Sequence, residues 1–218
     1  SRQTVELPVL DKVEKTELHL FVPKGYDPSK PTPLLLWGHG AGGSGAREFL
    51  LWEALADRIG LLVLAPTEFV RVPAWGYTVR ERAAQLAALR WARRVANVDE
   101  NAIFVGGWSR GGHMAWDLML RHPDLFAGAL PCIGAPRMQL GAQNNLRYLE
   151  NVAHLPIRDL QGSQDDPLVY RGFLGLAPDD HFISEQSGDI YRFVEIRILV
   201  AGIGMVALLA LGFEKLKD

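Results

Sequence analysis

Short apolar runs alternate along this chain with longer stretches of helical periodicity, and that alternation leaves few folds open. Leu34–Trp37, Leu61–Leu64, Ala102–Val105 and Phe126–Ile133 are short and almost wholly apolar, as strands buried on both faces must be. Between them, Arg47–Ile59, Val79–Val95 and Gly111–Arg121 read as helices. The second of these sets Val79, Ala83, Leu86, Ala87 and Trp91 on one face, with arginines opposite. Thr16–Val22 (TELHLFV) alternates as a half-buried strand, the turn-rich stretch Pro23–Pro33 follows it, and Leu155–Leu160 is a further strand. Strands alternating with helices predict an α/β class: a three-layer sandwich whose mostly parallel central sheet is covered on both sides. Chemistry in such sheets collects at the carboxyl ends of the strands.

With 218 residues, 48% of them hydrophobic and 22% charged, the chain suits one domain spanning 1–218 with a large core. A formal charge of −2 gives no electrostatic case for a nucleic-acid partner or an anionic membrane surface. Arg90, Arg93 and Arg94 read as the solvated face of a helix. The single cysteine, Cys132, allows no intramolecular disulfide and no cysteine-rich metal site, and its apolar neighbours mark it as a small buried residue. No signal peptide is visible in a chain starting at Ser1, which leaves the compartment open.

The stretch with chemistry in it is Gly106-Gly107-Trp108-Ser109-Arg110-Gly111-Gly112. It contains G-x-S-x-G as Gly107, Ser109 and Gly111, directly between the Ala102–Val105 strand and the following helix. A serine there sits on a sharp turn, and small residues two before and two after let neighbouring backbone pass close by. The turn lifts the hydroxyl clear of the sheet, and the helix N-terminus beneath it favours developing negative charge. Seven serines and 22 glycines make the expected number of chance matches only about 0.07, and the strand–turn–helix context is what the motif requires.

At these residues the chain resembles the α/β-hydrolase superfamily. It is most similar to the esterase branch of dienelactone-hydrolase-like, polyhydroxybutyrate-depolymerase-like and phospholipase/carboxylesterase-like proteins. The lines LFVPKGYDPSKPTPLLLWGHGAGGSG, VDENAIFVGGWSRGGHMAWDLMLRHPDLFAGALPCIG and LPIRDLQGSQDD carry the resemblance, over about 18–169. It implies a serine hydrolase of small-molecule carboxylic esters, with a Ser–Asp–His triad in that chain order, an acyl-enzyme on the serine and no cofactor or metal. Some relatives are peptidases, so a prolyl-oligopeptidase-like peptidase is the alternative enzyme. The loop His39-Gly40-Ala41-Gly42-Gly43 stands where such proteins place one oxyanion donor. The resemblance therefore implies an oxyanion hole from the amides of Ala41 and Arg110, with the Arg110 side chain directed elsewhere, and a substrate pocket bordered by His39 and Trp108.

The resemblance implies Asp165 as the acid, in Gln161-Gly162-Ser163-Gln164-Asp165, where glutamine replaces the histidine of the family's H-G-x-x-D line. Asp166 is the alternate. Of six histidines only His181 follows that acid, 16 residues on. A further helix and strand of the family's kind need about thirty residues, and the next strand-like run, Tyr191–Val200, comes after His181. Either a shortened loop delivers His181 or the chain is a degenerate, non-catalytic hydrolase fold. Asp165, Asp166, Asp179, Asp180 and His181 have metal-ligand types but no specific spacing. Ile198–Phe213 is uncharged; as a helix it would be about 24 Å long, short of a bilayer core of roughly 30 Å. It reads as a buried strand and helix, with a membrane anchor and an atypical or truncated ending over 170–218 as the other readings.

Overall fold

The computed structural model describes residues 2–68, 74–137 and 143–160. Its elements are β1 (Arg2–Val9), β2 (Lys12–Phe21), β3 (Thr32–Gly38), α1 (Gly45–Ile59), β4 (Leu62–Thr67), α2 (Val79–Val95), β5 (Val98–Trp108), α3 (Arg110–Arg121) and β6 (Gly128–Cys132), with 3-10 turns at Pro123–Leu125 and Leu146–His154. The six strands form one sheet in the order β1-β2-β4-β3-β5-β6. β1 and β2 pair antiparallel, as do β2 and β4; β4, β3, β5 and β6 run parallel.

Period-two alternation sorts the strand side chains into two cores. Leu18, Leu20, Leu34, Leu36, Leu62, Leu64, Ile103 and Val105 face α2 and α3. Phe21, Leu35, Trp37, Val63, Phe104 and Leu130 face α1, meeting Trp52, Leu55 and Ala56. Each central strand is thus apolar on both faces because each face has a layer to bury against. Trp37 meets Trp52 edge to face at 4.8 Å and donates its indole N–H to Glu48 at 2.8 Å, so the one polar atom of that ring is satisfied inside the core. Burial holds the Glu48 carboxyl above the usual range.

The expected α/β sandwich is the fold. α2 matches its expected span, and the other helices begin one or two residues early. The β1–β2 hairpin was not legible in advance. β1 carries Gln3, Thr4, Glu6 and Pro8, with most of its residues exposed, since an edge strand buries only part of one face. Leu155–Leu160 is less than a full strand: only parallel bridges Ala129↔Ile157 and Cys132↔Leu160 tie it to β6. No described helix is long and apolar enough to cross a membrane. The runs 191–200 and 198–213 lie outside the described residues.

Candidate active site

β3, β4, β5 and β6 all run the same way, so their carboxyl ends arrive at one edge of the sheet. The ladder brings Gly38 beside Gly107 and Trp108 beside Cys132. β5 stops at Trp108 and α3 starts at Arg110, leaving Ser109 alone between them. Ser109 makes the turn with φ 53 and ψ −110, a left-handed φ that costs a non-glycine residue of order 1–3 kcal/mol. Two backbone bonds fix the strained conformation: the Ser109 N–H donates to Cys132 O at 2.8 Å, and its carbonyl accepts from His113 N–H at 3.0 Å.

The glycines around the serine are required by close approach. A Cβ on Gly111 would stand 2.0 Å from Gly38 O, and one on Gly107 2.5 Å from the Gly111 backbone. On the other side of α3, a Cβ on Gly134 would stand 2.2 Å from Gly112. The first turn of α3 is therefore clamped between the chain leaving β3 and the chain leaving β6, which is what the G-x-S-x-G spacing provides for.

The loop after β3 lies against this turn: a Cβ on Gly40 would be 3.3 Å from the Trp108 ring and 3.9 Å from Ser109 Cβ. Gly43 N–H donates to Gly40 O at 3.0 Å, and Gly42 takes φ 67, closing the loop into a tight turn. Neither Ala41 N–H nor Arg110 N–H meets a backbone acceptor among the described residues. His39 is buried, with both ring nitrogens engaged. Nδ1 lies 2.7 Å from Gly40 O, while Nε2 accepts from Glu68 N–H at 3.3 Å. The acceptor role at Nε2 places the ring proton on Nδ1, and desolvation holds the imidazole below its ordinary pKa, hence neutral at pH 7. Of the two residues expected to border a pocket, His39 anchors the loop from within, and Trp108 is half-buried against the α1-side core.

Arg110 turns its side chain away from the serine, as expected, but into the protein. Only 2% of that side chain is exposed. The guanidinium pairs closely with Glu68, meets Glu81 at 3.3 Å and lies 5.3 Å over the Trp75 ring. Desolvation lowers it to about 10, which leaves it charged at neutral pH. A second buried charge cluster sits one helical stretch further along α3. Asp117, fully buried, accepts from Arg82 (2.9 Å), Trp75 (3.0 Å), Arg121 (2.8 Å) and Asn145 (2.9 Å). Sequence reasoning missed both clusters. Two traces of them were readable: the i,i+4 spacing of Asp117 and Arg121, and Thr78-x-x-Glu81, the signature of a capped helix start.

Cys132 is fully buried and burial raises its thiol well above the usual value, which suits a core residue and not a nucleophile. Asp165, Asp166 and His181 lie outside the described residues. The chain leading to them is placed as far as Leu160, which pairs with Cys132 and accepts from Ile133 N–H at 2.7 Å, at the same edge as Ser109.

No protein-family model matches the chain. Among curated proteins it is 26% identical over 164 residues to a bifunctional acetylxylan esterase/xylanase of Neocallimastix patriciarum, covering 72% of this chain and 23% of that protein. It is 33% identical over 162 residues to a probable chloroplastic glutamyl endopeptidase of Arabidopsis thaliana, covering 60% of this chain and 16% of the other. The chain thus spans less than a quarter of either relative's length. Among solved structures, an S-formylglutathione hydrolase of Staphylococcus aureus superposes with TM-score 0.68 at 15% identity, over 100% of this chain and 98% of that one. A thermostable esterase superposes with TM-score 0.62 at 24% identity, over 77% of this chain and 48% of that one. The strand order, the serine turn between β5 and α3 and these superpositions agree on the architecture: the chain has the α/β-hydrolase fold.

Proposed function

We propose that this protein is a serine hydrolase that cleaves carboxylic esters through an acyl-enzyme on Ser109. The observation that carries the reading is the backbone of Ser109, held at φ 53 between β5 and α3 with a glycine-rich loop against it. A left-handed serine between strand and helix supports a nucleophile elbow, in which such strain exposes the hydroxyl. Likeness to esterases in both sequence and structure supports the ester-cleaving class.

In this reading the Ser109 hydroxyl attacks the ester carbonyl carbon while a base takes its proton. The carbonyl oxygen becomes an oxyanion, stabilised by the amides of Ala41 and Arg110, which lack backbone acceptors of their own among the described residues. The intermediate collapses by breaking the bond to the alcohol oxygen, which leaves with the proton returned by the base. Water, deprotonated by the same base, then attacks the acyl-enzyme and releases the acid. We assign His181 as base and Asp165 as its orienting acid. Leu160 pairs with Cys132, and Asp165 follows it by five residues in the sequence, a reach of up to about 17 Å.

Labelling with a fluorophosphonate probe tests the assignment. The wild-type chain should label and Ser109→Ala should not; labelling that survives Ser109→Ala overturns it. His181→Ala should lower turnover of a short-chain aryl ester toward the roughly 10³–10⁴-fold acceleration that oxyanion and binding contacts leave over water. A chain that never labels is the degenerate fold. The relative that is a probable glutamyl endopeptidase supports one competing reading, a peptidase, which cleavage of peptide amides at rates comparable to esters would favour.

A further inference from the structure

Three segments of the site lie beyond the last rungs of the sheet. The β3–β4 ladder ends at Leu36↔Leu64 and the β3–β5 ladder at Gly38↔Gly107. Past those points the loop 39–41, Glu68 just after β4 and the turn at Ser109–Arg110 are joined to one another by no strand pairing. Side chains make the link. The His39 ring takes Glu68 N–H on Nε2 and holds Gly40 O through Nδ1. The Glu68 carboxylate holds the guanidinium of Arg110, the residue next to Ser109. Glu81 closes the set: it meets Arg110 and accepts from Gly76 N–H at 2.9 Å and Thr78 N–H at 3.0 Å.

We propose that Glu68 and Arg110 are positioning residues, a buried ion pair that sets the glycine-rich loop after β3 in register with the serine turn. The role follows from what each partner is attached to. The guanidinium belongs to the residue whose own amide is one assigned oxyanion donor, and the carboxylate belongs to the residue whose backbone N–H holds His39, two residues before the other donor at Ala41. Displacing either partner therefore changes the separation of the two amides. A buried ion pair is weak grounds for stability, since desolvation offsets most of its attraction; its geometric effect is the stronger one here. An oxyanion site depends on donors placed to a few tenths of an ångström around 2.7–3.1 Å, so the pair acts on the transition state more than on the bound ester.

This inference rests on the esterase reading for its kinetic arm and on geometry alone for its spectroscopic arm. The variants are Glu68→Gln and Arg110→Lys in the full chain. Asp117→Asn, a buried charge on the same helix outside the site, controls for stability loss. At equal folded fraction, Glu68→Gln and Arg110→Lys should lower kcat by about tenfold or more and leave KM within about twofold, while Asp117→Asn lowers only the unfolding midpoint. In ¹⁵N spectra of histidine-labelled protein, wild-type His39 should show the Nδ1–H tautomer, and both variants should lose that signature. An unchanged kcat with an unchanged His39 signal overturns the proposal, as does a kcat loss matched by Asp117→Asn. If Glu68→Gln does not fold, Arg110→Lys alone decides in the same two readouts. A wild-type chain without labelling or turnover defeats the esterase reading, and the His39 signal then decides the coupling by itself.

Discussion

Four polar groups converge on Asp117. It has no exposed surface, and two arginines, an indole and an amide donate to its two oxygens. Full satisfaction is what makes the charge tolerable at that depth. Asp117→Ala removes the acceptor and leaves Arg82, itself 7% exposed, with an unpaired buried cation. The expected cost is about 3–5 kcal/mol, the magnitude of a broken buried pair, read as a lower urea midpoint; a loss below about 1 kcal/mol would show that Arg82 re-solvates freely. Arg110 belongs to the same class of residue. Its side chain stands between Glu68 and Glu81, so Arg110→Ala would leave two carboxylates facing each other without their counter-charge. The position of its backbone amide at the start of α3 was legible from the motif; the destination of its side chain was not, since nothing local to G-W-S-R-G-G encodes a partner some forty residues upstream.

Helix α2 shows how one element serves two ends. Its N-terminus carries a full capping box: Thr78 Oγ1 accepts from Glu81 N–H at 3.2 Å while the Glu81 carboxylate reaches back to Thr78 N–H at 3.0 Å. The same carboxylate then meets Arg110 of α3, so the cap also orients a charge at the candidate site. Thr78→Ala should cost about 1 kcal/mol, which for a chain of this size lowers Tm by roughly 2–4 °C. Because Gly76 N–H still holds Glu81, kcat should change by less than about threefold; a tenfold loss would mean that the threonine, not the backbone, keeps Glu81 in place. At the other end of the helix, Arg90 and Arg94 are exposed as their spacing indicated, but Arg93 is half-buried and paired with Glu100 at 2.5 Å, and Arg82 on the same helix is buried. Periodicity assigns faces, but a long cationic side chain near the edge of a face goes wherever a carboxylate is waiting.

At the scale of the whole molecule, three histidines and one carboxylate among the described residues set the pH dependence near neutrality. Desolvation is the leading cause that lowers His19, His39 and His122 below the ordinary value, so the unfolded chain binds protons that the folded one refuses. The stability they contribute is complete above about pH 6.5, the unfolded value, and is lost as pH falls through their lowered folded values. Glu48, raised by burial, acts oppositely: its contribution is present at acid pH and is lost as pH rises through its elevated value. Urea midpoints at pH 7.5, 6.5 and 5.5 should therefore fall toward acid, and Glu48→Gln should steepen that fall by removing the opposing slope. A midpoint that rises toward pH 5.5 would show that Glu48 outweighs the three imidazoles. The layers of the fold were readable from sequence because burial on two faces demands continuous apolar strands, and burial on one face demands a helical stripe; both are local, periodic properties. The serine turn was readable because its strain and close approaches restrict which residues can stand at Gly107 and Gly111. Tertiary structure alone decided that Arg2–Val9 closes the sheet as an edge hairpin, that His39 is an anchor with its proton on Nδ1, and that Arg110 and Asp117 are buried with Glu68 and Glu81 half-buried beside Arg110. Those depend on which surfaces meet across long sequence separations, and a charged residue reads the same in a sequence whether water or a counter-ion surrounds it.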